Sequence, residues 1–167
     1  SEEILERRID IELVAIDRDH LALEAAHSRL ERFSERVRFF HNSFSSLEKI
    51  FNEENIPLIS GFLFDLGVSS PQLDNAERGF SYRFDGPLDM RMDIRQERTA
   101  SYLLNNSDKS ELQRIIEKNS DERFAARIAG SIVRNRPISS TLEFAELVKN
   151  AIPAAARRRG GHPAKRT

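Results

Sequence analysis

The sequence predicts an α/β fold whose parallel sheet is incomplete, followed by a block made only of helices. Residues 1–66 alternate short β-branched runs with helical patterns, and strands separated by helices of this length pair in parallel through right-handed crossovers. Residues 67–93 form a segment rich in Gly, Pro, Ser and Asp, too long for a passive connector. Residues 97–156 then show helical patterns without another strand signal.

Three strands are predicted in the first part of the chain. Residues 11–16 are a β-branched run that ends at Asp17. Residues 37–41 form the second run, and residues 59–66 form the third, with Asp65 near its end. Together with the helices between them, these strands make up half of a doubly wound sheet.

Apolar residues at helical spacing predict helices between and after these strands. The predicted helices cover residues 21–33 with an aspartate as the N-cap, a short segment that begins at Ser45 or Ser46, and residues 110–118, 121–133 and 140–152.

Composition sets limits on the type of protein. A chain of 167 residues suits one domain, or one domain and part of a second, and its formal net charge of −1 gives no general sign of nucleic-acid binding. There is no cysteine, and the four histidines have no metal-ligand spacing. No apolar run of about 18 residues is present. These features predict a soluble cytoplasmic protein with no metal site and no membrane segment.

Polar residues follow each predicted strand, where open α/β sheets bind ligands. These residues are Asp17, the turn of Asn42, Ser43 and Phe44, and Asp65. An acid at the end of the second strand of a nucleotide-binding fold commonly accepts hydrogen bonds from ribose hydroxyls. Asp17 could instead only cap the next helix, and the pattern leaves both interpretations open.

A nucleotide-type fold requires a glycine-rich turn roughly 20 residues before such an acid. Residues 1–16 contain no glycine. Either the fold is of another type, or the chain begins after the glycine turn, with residues 1–8 as the tail of the helix that follows it. We favour the second interpretation, and we expect this chain alone to bind a nucleotide cofactor only weakly.

The segment Asp65–Gln72 resembles the loop that aminomethyltransferases place beside a target amine. An exocyclic amine on a base is a poor nucleophile, and oxygen acceptors such as Asp65, Ser69 and Ser70 would raise its reactivity and align it. Gln72 stands where such loops usually have an aromatic residue. Stacking on the base would then come from other aromatic residues, with these candidates: Phe80, Tyr82 and Phe84.

The whole segment 65–93 closely resembles the signature of the bacterial 16S rRNA (cytosine-N4) methyltransferases, the family called RsmH or MraW. The similarity extends to four other segments: residues 15–19, 44–45, 122–128 and 162–167. It therefore spans nearly the whole chain.

The resemblance implies a partial class I (Rossmann-like) S-adenosylmethionine-dependent methyltransferase sheet with an all-helical inserted domain. Residues 1–72 would be the partial core and residues 73–164 the signature loop and insertion, with the core resuming after residue 167. The implied substrate is the N4 amino group of a cytidine in 16S rRNA of the small ribosomal subunit. The implied cofactor contacts are Asp17, Phe44, Asp65 and Gln72, and the implied catalytic residues are Asp65, Ser69 and Ser70.

Basic residues cluster at the end of the chain, and such a cluster attracts phosphate. We predict RNA contacts for Arg157, Arg158, Arg159, Lys165 and Arg166. A solvated surface loop is the alternative. The arginines of residues 78–95 alternate with aspartates, so internal ion pairs are at least as good an explanation for them as RNA.

Three other functions would each explain part of the sequence. A nicotinamide dehydrogenase would also use an acid like Asp17, but it does not explain the signature of residues 65–93. An RNA-binding module explains the basic cluster but not the α/β half. A folded fragment without activity is the third alternative. Whether the protein forms a homodimer is left open by the sequence.

Overall fold

The computed structural model describes residues 1–56, 58–157 and 164. Two compact units are present. The first comprises Ser1–Asp65 with Met92–Arg95, and the second comprises Leu66–Arg91 with Gln96–Thr167. Within the described residues, no helix has both the length and the apolar character needed to cross a bilayer.

The first unit contains two strands, with helices before, between and after them along the chain. Its regular elements are α1 (Glu2–Arg7), β1 (Leu13–Asp17), α2 (His20–Arg29), β2 (Val37–His41) and α3 (Leu47–Glu53), with 3-10 helices at Glu31–Arg36 and Phe44–Ser46. The second unit is helical. Its elements are α4 (Ser70–Asp74), a 3-10 helix at Ala76–Arg78, α5 (Ala100–Asn106), α6 (Lys109–Asn119), α7 (Ala125–Arg134), α8 (Thr141–Ala151) and α9 (Ala154–Arg157).

The two strands pair in parallel, as predicted, with Leu13 opposite Val37 and Asp17 opposite His41. Helix α2 connects them, and a small apolar core lies beneath the sheet. The buried members of that core are Leu5, Leu30 and Val37. Burial of Leu5 ties α1 to the sheet because its side chain is fully enclosed.

The predicted third strand is wrong. None of the residues from 58 to 66 belongs to a strand, and their apolar side chains are exposed apart from the half-buried Ile59, with Leu58 100% and Leu63 77% accessible. β-Branched and aromatic residues suit a pleated, buried position, but a strand also needs a neighbour for its backbone N–H and C=O groups. No such neighbour is present in the described part of the chain, so composition alone does not form the strand.

The helical second part is confirmed, since no strand occurs among residues 97–156. Helices α6, α7 and α8 match the predicted segments, although α7 begins later than predicted, at Ala125. The Glu122 carboxylate accepts a hydrogen bond from the Phe124 backbone N–H, at 2.9 Å, in the turn before that helix. Isoleucine and leucine side chains from α6, α7 and α8 form the core of the unit.

Most of the segment rich in Gly, Pro, Ser and Asp, up to Arg91, belongs to this helical unit. The Thr141 hydroxyl at the start of α8 donates to the Phe84 carbonyl oxygen at 2.7 Å and accepts from the Gly86 N–H at 3.1 Å. Leu88 is buried within the helical core. A Cβ on Gly86 would lie 2.1 Å from the Ala76 carbonyl oxygen, so this close approach of backbone requires glycine.

Asn105 connects α5 to the buried residue Ile138. Its side-chain amide donates to the Ile138 carbonyl oxygen, and its side-chain oxygen accepts from the Ile138 N–H, both at 2.9 Å. The Arg136 guanidinium donates to the carbonyl oxygens of Leu104 and Ser107 at the end of α5. These contacts give hydrogen-bond partners to backbone groups of Ile138 and of the end of α5 that have none within a helix.

Asn105→Ala should therefore destabilise the protein by about 2 kcal/mol, because two buried backbone groups of Ile138 lose their partners. Asn106→Ala is the matched control, since the Asn106 side chain is exposed and, among the described residues, donates only to the Tyr102 carbonyl oxygen. The control should change the free energy of unfolding by less than about 0.5 kcal/mol. Denaturant unfolding measures both. Equal effects of the two changes would contradict this role of Asn105.

Candidate functional site

Asp17 ends β1 and is exposed. One carboxylate oxygen, Oδ1, accepts from the Asp19 backbone N–H at 2.8 Å. Asp19, and not Asp17, is the N-cap of α2, since its side chain accepts from the Leu21 N–H. The interpretation of Asp17 as the helix cap is therefore wrong. No described residue donates a hydrogen bond to its second oxygen, which leaves that oxygen available to a ligand.

Phe44 follows the end of β2. The Asn42 N–H donates to the Asp17 carbonyl oxygen at 3.0 Å, which joins the turn after β2 to the end of β1. Phe44 begins the next 3-10 helix, and its ring is 52% exposed. That ring meets the ring of Phe64 edge-on, with 6.2 Å between centroids. Asp17 and Phe44 thus follow the carboxyl ends of two neighbouring strands, as predicted.

Arg95 holds the end of β2 from another part of the chain. Its guanidinium donates to the His41 carbonyl oxygen at 3.2 Å and makes two hydrogen bonds, of 2.9 and 2.7 Å, to the Asp93 carboxylate. Asp93 Oδ1 lies 3.8 Å from His41 Nε2. Through these contacts Met92–Arg95 belongs to the first unit although its neighbours in sequence belong to the second.

The guanidinium of Arg95 also keeps the Asp93 carboxylate charged. Its hydrogen bonds hold the pKa of Asp93 well below the ordinary value, although partial burial opposes this. The same Asp-x-Arg geometry occurs at Asp89 and Arg91, where the guanidinium bonds likewise lower the pKa of Asp89. Internal ion pairs therefore account for these two arginines. The alternation of arginines with aspartates predicted such ion pairs, but no sequence signal predicted the contact of Arg95 with the His41 carbonyl oxygen.

The predicted catalytic loop has a different local structure from that expected. Asp65 is exposed and does not end a strand. Ser69 is the N-cap of α4 and forms a capping box with Gln72: the Ser69 N–H donates to Gln72 Oε1 at 2.9 Å, and the Gln72 N–H donates to the Ser69 hydroxyl. Gln72 is only 4% exposed. Ser70, in the first turn, is exposed. The Ser-x-x-Gln spacing is the sequence signature of such a box.

Of the predicted RNA-binding residues, only Arg157 lies among the described residues. It ends α9, and its guanidinium donates to the Ile152 carbonyl oxygen at 2.7 Å and to that of Asn150 at 3.4 Å. The other predicted contacts lie outside the described residues: Arg158, Arg159, Lys165 and Arg166. RNA contact by these five residues stays a prediction.

Arg95→Ala should loosen the turn that carries Phe44, because it removes the donor to the His41 carbonyl oxygen. We expect amide hydrogen exchange at Asn42–Phe44 to become about tenfold faster, the effect of losing one charge-assisted hydrogen bond. Arg91→Ala is the matched control, since it breaks the same kind of pair in the second unit. If both substitutions accelerate amide exchange at Asn42–Phe44 equally, the proposed role of Arg95 in holding this turn is refuted.

The same pair predicts a pH dependence. The pKa of Asp93 is lowered in the folded protein, so the contribution of the pair to stability is present above the ordinary aspartate pKa and is lost as the pH falls through the lowered value. In an NMR titration of the Asp93 carboxyl carbon, the midpoint should lie well below 3.8, the ordinary value. It should rise towards that value in Arg95→Ala. A midpoint that Arg95→Ala leaves unchanged would show that another group sets the pKa of Asp93.

Comparisons with known proteins give relatives along the entire chain. The ribosomal RNA small subunit methyltransferase H of Thermobifida fusca (strain YX) is 53% identical over 169 residues, covering 99% of this chain and 51% of the relative. The protein of the same name from Halothermothrix orenii is 51% identical over 171 residues, covering 100% of this chain and 55% of the relative. The chain spans about half the length of these curated relatives.

The comparison with family models agrees with the relatives. The model described as the MraW methylase family matches residues 1–167, which include both strand-end residues and the whole glycine-rich segment. The chain belongs to the MraW methylase family.

Proposed function

We propose that this protein transfers a methyl group from S-adenosylmethionine to the N4 amino group of a cytidine in the 16S rRNA of the small ribosomal subunit. The observation that carries the proposal is the placement of Asp17 and Phe44 after neighbouring strand ends, in a chain of the MraW methylase family. The printed names of the relatives support a ribosomal RNA substrate. A cytoplasmic location follows from that substrate.

The residues at the strand ends fit the nucleoside part of the cofactor. Asp17 has a carboxylate oxygen that no described residue occupies, suited to accept from ribose hydroxyls. The exposed ring of Phe44 offers an apolar face for an adenine base. When bound, S-adenosylmethionine supplies an electrophilic methyl group on a sulfonium. Gln72 fits a direct contact less well, because it is buried and its oxygen holds the capping box, so we assign it the positioning of α4.

Asp65 and Ser70 are the candidates for holding the target amine. Both side chains are exposed, and no described residue forms a hydrogen bond with either. Oxygen acceptors on the N–H bonds of an exocyclic amine raise the electron density on its nitrogen and align it for attack. The carboxylate of Asp65 is also a base that could take the proton the amine loses. Ser69 supports this role indirectly, since its hydroxyl caps α4.

The test is methylation of small-subunit rRNA by the full-length protein, with N4-methylcytidine measured by mass spectrometry of digested RNA. Asp65→Asn should lower kcat about 10²-fold or more, because it weakens the acceptor at the reacting amine. Asp17→Ala should raise the KM for S-adenosylmethionine about tenfold and leave the KM for RNA unchanged.

Asp74→Asn is the matched control, since Asp74 is an exposed acid at the end of α4 with no hydrogen bond or ion pair to a described residue. It should leave both constants unchanged. Absence of N4-methylcytidine from the wild-type reaction would refute the proposed activity. Binding of NAD in place of S-adenosylmethionine would favour a dehydrogenase.

A further inference from the structure

A cleft with a basic lining lies in the helical second unit, on residues of α6, α7 and α8. It encloses about 380 Å³. Its described lining residues are Lys109, Ala126, Arg127, Gly130, Ser131, Arg134, Asn150 and Ala151. Three of these residues are cationic, two others are polar and uncharged, and none of them is acidic or aromatic.

The three cations of this basic cleft are Lys109, Arg127 and Arg134. All three are exposed, and none forms an ion pair or side-chain hydrogen bond with a described residue. Elsewhere many cations are neutralised; Arg91, for example, pairs with Asp89 and Arg95 with Asp93. Cations that converge without a counter-charge repel one another, and a bound anion relieves that repulsion.

Gly130 allows the close approach of one of these cations, Arg134. It lies in the middle of α7 and is buried, where glycine is less favourable for a helix than alanine. A Cβ at this position would lie 3.3 Å from Arg134 Nη1 and 3.5 Å from Lys109 Cε. A methyl group at this position would be in ordinary contact with Lys109 and would require the end of Arg134 to shift by a few tenths of an ångström. Absence of a side chain at residue 130 shapes the cleft.

We propose that the basic cleft binds backbone phosphates of an RNA strand, an inference that rests on the proposed function for its choice of RNA. Guanidinium groups bind phosphate oxygens with paired N–H donors, and a lysine adds a mobile point charge. Arg127 and Arg134 are seven residues apart on α7, about 10 Å along the helix, which allows contact with more than one phosphate. Ser131 and Asn150 add uncharged polar groups to the lining.

The nature of the lining favours RNA over an acidic peptide. A peptide-binding groove has apolar or aromatic pockets that bind side chains, and the apolar surface here is limited to two alanines and a glycine. The substrate of the proposed reaction carries one phosphate per nucleotide. The basic cleft therefore provides contacts that do not depend on base sequence and hold the RNA while another part of the protein selects the target cytidine.

The main test compares two triple variants of the full-length protein, each with three cations replaced by glutamine. The cleft variant carries Lys109→Gln, Arg127→Gln and Arg134→Gln. Its matched control changes three exposed cations of the same unit that do not line the cleft: Arg114, Lys118 and Arg123. Both variants have the same net charge. Fluorescence anisotropy with a labelled single-stranded RNA from the small-subunit rRNA, at several salt concentrations, gives the Kd and its salt dependence.

The cleft variant should bind the RNA at least about tenfold more weakly at low salt. The slope of log Kd against log salt should fall by about 2, since each lost phosphate contact on a single strand contributes roughly 0.7. The control should keep most of the wild-type affinity and slope. Equal weakening by both variants would mean a nonspecific charge effect and would overturn the proposal, and so would wild-type binding by the cleft variant.

Gly130→Ala gives an independent test that keeps every charge. The new methyl group should push the end of Arg134 aside by a few tenths of an ångström and leave Lys109 in ordinary contact, so RNA affinity should fall by less than in the cleft variant while the thermal midpoint stays the same or rises. A lower midpoint together with unchanged RNA affinity would overturn the proposed role of this glycine. Preference of the wild-type cleft for poly-glutamate over RNA would identify an acidic protein as the partner, which also refutes the proposal.

The outcome can be separated from that of the proposed methylation. The cleft variant should show a raised KM for RNA and an unchanged KM for S-adenosylmethionine. If the wild-type protein forms N4-methylcytidine and the cleft variant does so with an unchanged KM for RNA, the basic cleft is refuted and the methyltransferase function stands. If the wild-type protein forms none but its RNA binding depends on the cleft, the proposed function fails instead.

Discussion

Parallel pairing of β1 with β2 is the constraint on which the candidate cofactor site depends. The register brings Asp17 opposite His41, and the Asn42 N–H then bonds to the Asp17 carbonyl oxygen. Because the two strands run in the same direction, their carboxyl ends lie at the same edge of the sheet. Asp17 and the turn with Phe44 are therefore neighbours at that edge. Arg95 adds a second restraint at that edge from far along the chain. The positions of Asp17 and Phe44, the candidate contacts of a nucleoside, are thus determined more by the pairing of the backbone than by contacts of their own side chains.

Local signals in the sequence predicted most of the regular structure. The helices at 110–118 and 140–152 were correct because each carries its own apolar periodicity and a polar cap, such as Ser140 for α8. The strand at residues 37–41 was correct because its short run of valine and aromatic residues favours a strand. The strand at residues 59–66 was wrong, because a strand is completed by a neighbour, which local composition does not report. Prediction succeeded for helices in which the apolar pattern and the cap agree. It failed for residues 59–66, where formation of a strand depends on a partner strand.

Roles of polar residues were harder to predict than elements. Asp17 ends β1 and Asp19 lies two residues later, and only the three-dimensional structure distinguishes Asp19, which caps α2, from Asp17, whose second oxygen accepts from no described residue. The Ser-x-x-Gln spacing of Ser69 and Gln72 indicates a capping box, whereas the resemblance to a catalytic loop predicted a direct chemical role for these residues. The cations of the basic cleft come from two helices, so no contiguous motif marks them. Residues of separate helices come together only when the helices pack, so a sequence pattern does not reveal that they share one cleft.

The exposed stretch of residues 58–68 has a consequence for how the polypeptide behaves in solution. It is mostly leucine, isoleucine, phenylalanine and valine, and Asp65 is its sole charge. Exposed apolar chain whose backbone groups bond to no described residue is a template for β-pairing between molecules, and a lone acid in such a stretch acts as a gatekeeper against it. Asp65 therefore contributes to colloidal stability whatever its part in chemistry.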